Sequence, residues 1–235
     1  MTAESDFLAS YDPTEFDRPS TAVDVALVTI IDDQLRVLVL RRPDHPYRGS
    51  WQLPGGFVEI DESLDQAAAR VIADKAGLAD TFIEQLYTFG APDRDPRTRV
   101  ITIAYYALVE PDRLVDLPNG VELATIDVPW EGETGGPVAL HLDGGAIEVA
   151  FDHEAIVGMV VQRLRGKLDY APVGYELLPD EFTLHDLQRI HETVLGRSLN
   201  KDSFRRRMVA TREIEGTGRR QTGVGYRPAE LYRVR

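Results

Sequence analysis

The chain has 235 residues, with 39 Asp/Glu against 26 Lys/Arg, no cysteine and a formal net charge of −13. That length suffices for two cores, and the missing cysteine excludes disulfides and thiolate metal sites and fits a reducing compartment. The charge is unevenly divided, since residues 1–180 hold 14 Lys/Arg against 32 Asp/Glu and residues 197–235 hold 11 against 4. Such a sign reversal is the mark of a chain with two tasks.

Residues 1–19 are acidic and broken by proline, with no basic or apolar leader region, and are expected to be a disordered tail. The longest apolar runs fall far short of the roughly 18 residues of a membrane span, so a cytoplasmic protein with no membrane partner is expected. "TAVDVALVTIIDDQLRVLVLRRP" reads as two β runs around the turn signal Asp32-Asp33, closed by Pro43. A polar loop and "SWQLPGGFVE" follow. From Glu62 to Ala76 the pattern is helical, with an apolar stripe of Leu64, Ala68, Val71 and Ile72 and with Gly77 in the position of a C-terminal glycine. "FIEQLYTFGAPDRDPRTRVITIAYYALVE" is strand, charged loop, strand, and 111–145 is loop-rich with short strands. "FDHEAIVGMVVQRLRGKL" gives a helix with Asp152 as its N-cap. "DYAPVGYELLPDE" is the expected linker, so the domains are expected at 20–170 and 171–235.

The last stretch is the most regular. Thr183 to Asp186 is a capping-box-like start, the stripe Leu184, Leu187, His191, Val194, Leu195 follows, and Gly196 ends the helix. His191 lies on that stripe as a core histidine, and neither it nor His185 belongs to a metal-binding pattern. Asn200 caps "KDSFRRRMVAT", with Phe204 and Met208 facing inward, and "GTGRRQTGVGYRPAELYRV" reads as a basic hairpin. Helix, turn, basic helix and basic hairpin outline a winged helix-turn-helix. Lys201, Arg205, Arg206, Arg207, Arg219, Arg220 and Arg227 can neutralise phosphates, and Ser203, Arg206 and Arg207 can reach base edges. With the cap Asn200, they make the expected interface for double-stranded DNA.

Gly56, Glu62, Arg70, Ile72 and Gly77-Leu78 stand at the spacing G-x5-E-x7-R-E-U-x-E-E-x-G-U, where U is apolar. With "LPGG" before it, this stretch resembles the Nudix box. The resemblance covers roughly residues 20–170 and implies an α/β/α sandwich with a mixed sheet. In that family three acids after the arginine hold a divalent cation on one helix face. Here those positions are Val71, Asp74 and Lys75. The face goes from three negative charges to a net of zero; Glu62 and Asp74 survive, and acids in 110–150, such as Glu131 or Glu133, are further ligand candidates. No metal and no catalytic residue is therefore expected, and a pocket that has lost turnover can serve as a sensor. Arg70 can order the loop, Arg94, Arg97 and Arg99 can pair with a diphosphate, and Tyr47 and Trp51 can stack on a base.

The combination with Phe182-Thr183-Leu184, Leu187-Gln188, Glu192, Leu195-Gly196 and Phe204-Arg205-Arg206 resembles the Nudix-related transcriptional regulators of NAD metabolism. Ser203 departs from an asparagine often found there. The resemblance implies a homodimeric repressor of NAD synthesis or salvage genes on a pseudo-palindromic operator. It also implies ADP-ribose or a related nucleotide as effector, with no cofactor required. The alternatives are an active ADP-ribose pyrophosphatase and a sugar-sensing regulator of the same build.

Overall fold

The computed structural model describes residues 2–168, 174–223, 225 and 227–235. Its centre is strand β1 (Ser20–Ile31), which turns at Asp32 and Asp33 into β2 (Gln34–Arg41). Both turn residues have positive φ, 52° and 58°, as a two-residue hairpin turn requires. β1 alternates its burden: Val23, Val25 and Leu27 face one core, and Ala26 and Val28 face the other. Short β3 (Trp51–Gln52) pairs with β2, and β4 (Gly55–Phe57) pairs with β1. The first core is closed by helix α2 (Leu64–Ala76) through Ala67, Ala68, Val71 and Ile72.

Strands β5 (Glu84–Phe89) and β6 (Val100–Leu108) follow, and β6 lies parallel to β1. β7 (Val121–Asp127), β8 (Ala139–Leu142) and β9 (Gly145–Ala146) complete a sheet of order β5-β6-β1-β2-β7-β8-β9. Helix α3 (His153–Lys167) covers the opposite face with Ile156, Val157, Val160, Val161 and Leu164. The expected α/β/α sandwich with a mixed sheet is what forms.

The C-terminal unit is α4 (Leu184–Leu195), α5 (Lys201–Thr211), β10 (Ile214–Arg220) and β11 (Glu230–Val234). Its caps are those expected. Thr183 and Asp186 form a reciprocal capping box, Gly196 takes φ 66° at the end of α4, and Asn200 accepts the Ser203 N–H. Phe204, Met208, Ile214, Tyr232, Leu187 and Phe182 form its core, and His191 is buried edge-on against Phe204 at 5.0 Å. This core continues onto Ile30 and Leu108 of the sandwich, and Arg189 of α4 pairs with Asp33 at 2.7 Å.

Three expectations change. The tail expected to be disordered contains helix α1 (Ala3–Ser10), capped by Thr2 but with no buried residue. It is capped locally and no core holds it. The helix expected from Glu62 begins at Leu64, because Ser63 and Gln66 make the capping box and leave Glu62 in the preceding turn. Asp152 does stand at the N-cap of α3, yet its carboxylate makes no cap bond and turns to Arg94 instead. The expected boundary at 170/171, the first part of the linker and hairpin residues 224 and 226 lie outside the described residues.

Candidate functional site

The sandwich carries a pocket at the end of β1 where the "LPGG" segment crosses it. Asp24 is a charge in an apolar strand, on the side facing α3, and it is buried. Its carboxylate takes Arg94 at 3.3 Å and faces His153 Nε2 at 3.4 Å. Burial pushes Asp24 up, but His153 and Arg94 outweigh it and hold the carboxyl below its usual range. His153 Nδ1 accepts the Leu53 backbone N–H at 2.9 Å, which ties α3 to the "LPGG" segment. Gly55 is required there: a Cβ on it would stand 2.1 Å from Asp24 Oδ1 and 3.0 Å from the Val23 carbonyl.

Arg94 is fixed twice, since it also donates to both oxygens of Asp152 at 2.6 and 2.9 Å. Arg97 is held by Asp95 through two bonds of 2.7 and 3.0 Å and lies 5.7 Å from the Phe57 ring and 5.9 Å from Phe151. Arg42 donates to Pro46 and Gln52 and stands 4.8 Å over Phe151. Phe151 and Tyr47 meet edge-on at 5.0 Å, both with positive φ, 58° and 60°. Two strained aromatic residues beside a pocket mark a surface shaped for a ligand. Cationic walls fixed by carboxylates, with ring faces beside them, suit a phosphorylated nucleotide.

Of the residues expected to bind an effector, Arg94 and Arg97 line this pocket. Tyr47 stands behind Phe151, Trp51 packs in the sheet under Arg41, Arg70 turns to Glu62, and Arg99 donates to the Ala91 carbonyl. Asp24, Arg42, Gln52, Phe57, Asp95, Phe151 and His153 line it without having been singled out in the sequence. A charge inside an apolar strand, Asp24, was the available signal.

The Nudix-like box has a changed face. Val71 is buried beneath Gly56, where a Cβ on that glycine would meet Val71 Cγ2 at 3.3 Å. Lys75 lines the pocket, whereas Asp74, Glu131 and Glu133 do not. Glu62 gives both carboxylate oxygens to Arg70, one bond at 2.9 Å, and accepts the Glu59 N–H at 2.8 Å. Its hydrogen bond from Arg70 pulls its pKa down to about 2. The fold implies a divalent cation here, and the residues do not fit one. They offer an apolar side chain (Val71), an ammonium (Lys75), a carboxylate occupied by Arg70 (Glu62) and a single further acid, Asp74, which lies outside the pocket lining. Among the described residues no three His, Asp or Glu are grouped to hold a metal.

In the C-terminal unit, α5 shows Lys201, Ser203, Arg205 and Arg206 to solvent. Lys201 and Arg205 line one groove with Arg220 and Arg227 of the hairpin, against the N-terminus of α4. Arg207 lies partly covered, its guanidinium 5.8 Å from the Phe204 ring, and Arg219 is paired with Glu181. No helix among the described residues is long and apolar enough to cross a membrane.

Residues 174–234 match the NrtR DNA-binding winged helix domain, and residues 20–131 match the NUDIX domain. The ADPR responsive transcriptional repressor NtrR of Acinetobacter baylyi is 33% identical over 238 residues, 99% of this chain and 89% of that protein. Shewanella oneidensis NrtR complexed with a 27mer DNA superposes with TM-score 0.74 at 33% identity, over 92% of this chain and 93% of that one. The NUDIX domain of the same NrtR, complexed with ADP ribose, is 32% identical over 69% of this chain and 99% of its own, with TM-score 0.51. On this full-length likeness the chain belongs to the NrtR family of transcriptional regulators, a Nudix domain joined to a DNA-binding winged helix.

Proposed function

We propose that the chain is a transcriptional repressor that binds double-stranded operator DNA through α5 and the hairpin, and that ADP-ribose or a related NAD-derived nucleotide in the sandwich pocket sets its affinity. The genes it controls are those of NAD synthesis or salvage, and it acts as a homodimer on a pseudo-palindrome. One observation carries the reading: a cation-walled pocket and a basic winged helix occur in one chain of net charge −13. The described relatives support both ligands, one as a DNA complex and one with ADP ribose.

The pocket binds and does not hydrolyse. Attack of water on a diphosphate in a Nudix site draws on a metal held by the acids after the arginine. Val71 and Lys75 do not supply that site, so the ligand is retained as an effector.

The route between the two ligands runs along α3. Its N-cap Asp152 and first residue His153 hold the pocket's Arg94 and Asp24. Near its other end Arg165 donates to the Val194 carbonyl of α4 at 2.8 Å. A shift in how Arg94 is held is therefore passed to the helix that leads, through Gly196, into α5.

Operator fluorescence anisotropy tests the reading, with a site selected from random DNA at fixed salt. Saturating ADP-ribose should weaken binding by roughly 5–150-fold, the usual range of coupling between two sites. An operator affinity unchanged by bound ADP-ribose overturns the regulatory reading, and sedimentation of the complex checks that two chains bind each operator.

A further inference from the structure

Six charged side chains line the pocket: Asp24, Arg42, Lys75, Arg94, Asp95 and Arg97. Five are engaged within the protein. Asp24 and Asp152 hold Arg94, Asp95 holds Arg97, and Arg42 donates to Pro46 and Gln52. Among the described residues Lys75 is the pocket-lining charge with no ion-pair or hydrogen-bond partner.

Lys75 stands in the last turn of α2, exposed, on the rim shared with Gly56 and Phe57. A lysine ammonium is a compact point charge with three donors on a flexible stem. It can follow a phosphate oxygen that a fixed guanidinium fork cannot reach. Here it occupies the helix position from which a carboxylate would hold a cation, while Val71 leaves no ligand beneath it.

We propose that the Lys75 ammonium contacts the diphosphate of the effector directly, supplying the positive charge that a divalent ion would otherwise bring, so that effector binding needs no metal. This rests on the reading of the pocket as an ADP-ribose site. Lys75 is thereby a determinant of ligand class, favouring diphosphates over uncharged sugars, which gain nothing from an unpartnered ammonium.

Calorimetric titration of the full chain with ADP-ribose, in EDTA and again in magnesium chloride, tests it. The parent should bind equally in both buffers. Lys75→Gln should weaken binding about tenfold, as for loss of one charge-assisted contact, with Lys75→Arg retaining most of it. Lys75→Glu should bind poorly in both buffers, since Val71 and the Arg70-bound Glu62 leave too few ligands for a cation to replace the lost ammonium. Because Lys75 is exposed, these variants should melt with the parent. A parent that needs magnesium, or a Lys75→Gln variant equal to the parent, overturns the proposal and leaves ADP-ribose as effector. If the parent ignores ADP-ribose in both buffers, the effector reading fails and inorganic pyrophosphate in EDTA decides the lysine's role. Weaker pyrophosphate binding by Lys75→Gln then supports the contact, and equal or absent binding overturns it.

Discussion

Replacing Arg165 should unlatch the winged helix from the sandwich. Its guanidinium is buried and has no carboxylate partner among the described residues; it donates to three carbonyls, Val194 at 2.8 Å, Trp130 at 2.9 Å and Gly132 at 3.1 Å, and lies 4.7 Å from the Trp130 ring. Burial pushes its pKa down, which is the signature of a charge withdrawn from water. A hydrogen bond from a charged donor contributes roughly 1.5–3 kcal/mol net of the water it displaces, and only the Val194 bond is buried, the other two being part-buried, so a loss of about 3 kcal/mol is expected. Arg165→Met keeps the stem and strands the Val194 carbonyl, so it should destabilise by about that amount, or roughly 6–12 °C in a chain of this size. Arg165→Lys keeps the charge without the fork and should recover less than half. Thermal unfolding measures the loss, and operator anisotropy should show weaker binding and a smaller response to ADP-ribose. If both variants melt within about 0.5 kcal/mol of the parent, as ordinary surface changes do, the latch does not exist.

Four further outcomes are expected. Magnesium-dependent cleavage of ADP-ribose, followed by chromatography, should stay far below 1 s⁻¹, and turnover near roughly that ordinary enzyme rate refutes the sensor reading. Arg220→Ala, in the groove shared with Lys201, Arg205 and Arg227, should weaken all DNA sequences alike and lower the salt slope by about one, whereas Arg206→Ala should cost about 1–3 kcal/mol at particular bases; a binding selection over salt separates them. Glu62 has a folded pKa depressed to about 2, so its contribution is present above its unfolded value and is lost as pH falls toward about 2. Urea unfolding of Glu62→Gln should therefore show a flatter acid limb, and an unchanged limb removes the Arg70 clamp from the account. Gly55→Ala should cost about 1–3 kcal/mol and displace β4 from Asp24, visible as weaker ADP-ribose binding; a variant with parental stability and affinity would show that the close approach is not needed.

What could be read from the sequence was local. Gly77, Gly196, Thr183, Asn200 and the Asp32-Asp33 turn act within four residues, so their roles follow from adjacent positions. The inward Phe204 and Met208 were legible for the same reason, through helical spacing. The pocket was less so. Arg94 finds Asp152 and Asp24 at separations of 58 and 70 residues, and His153 reaches Leu53 across 100. No spacing rule spans such distances. Asp152 shows the conflict directly: by local rules it caps α3, and in the fold a buried arginine offers it a stronger partner. Trp51 and Arg70 were named as ligands by residue type; in the fold Trp51 packs against the core and Arg70 pairs with Glu62, contacts that residue type alone does not reveal.

The division of charge seen in the sequence makes physical sense only with distance included. At physiological ionic strength charges are screened over about 8 Å, so acids on the far side of the sheet hardly repel a duplex lying on α5. Acids inside the C-terminal unit are close enough to matter, and several are already matched. Glu215 holds Arg233 at 2.6 Å and Arg235 at 3.6 Å, and Glu181 holds Arg219. Lys201, Arg205, Arg220 and Arg227, which share one groove, are the cations best placed to meet phosphates. On the proposed reading the groove cations draw in the phosphates, and base preference then falls to the exposed side chains of α5, Ser203 and Arg206.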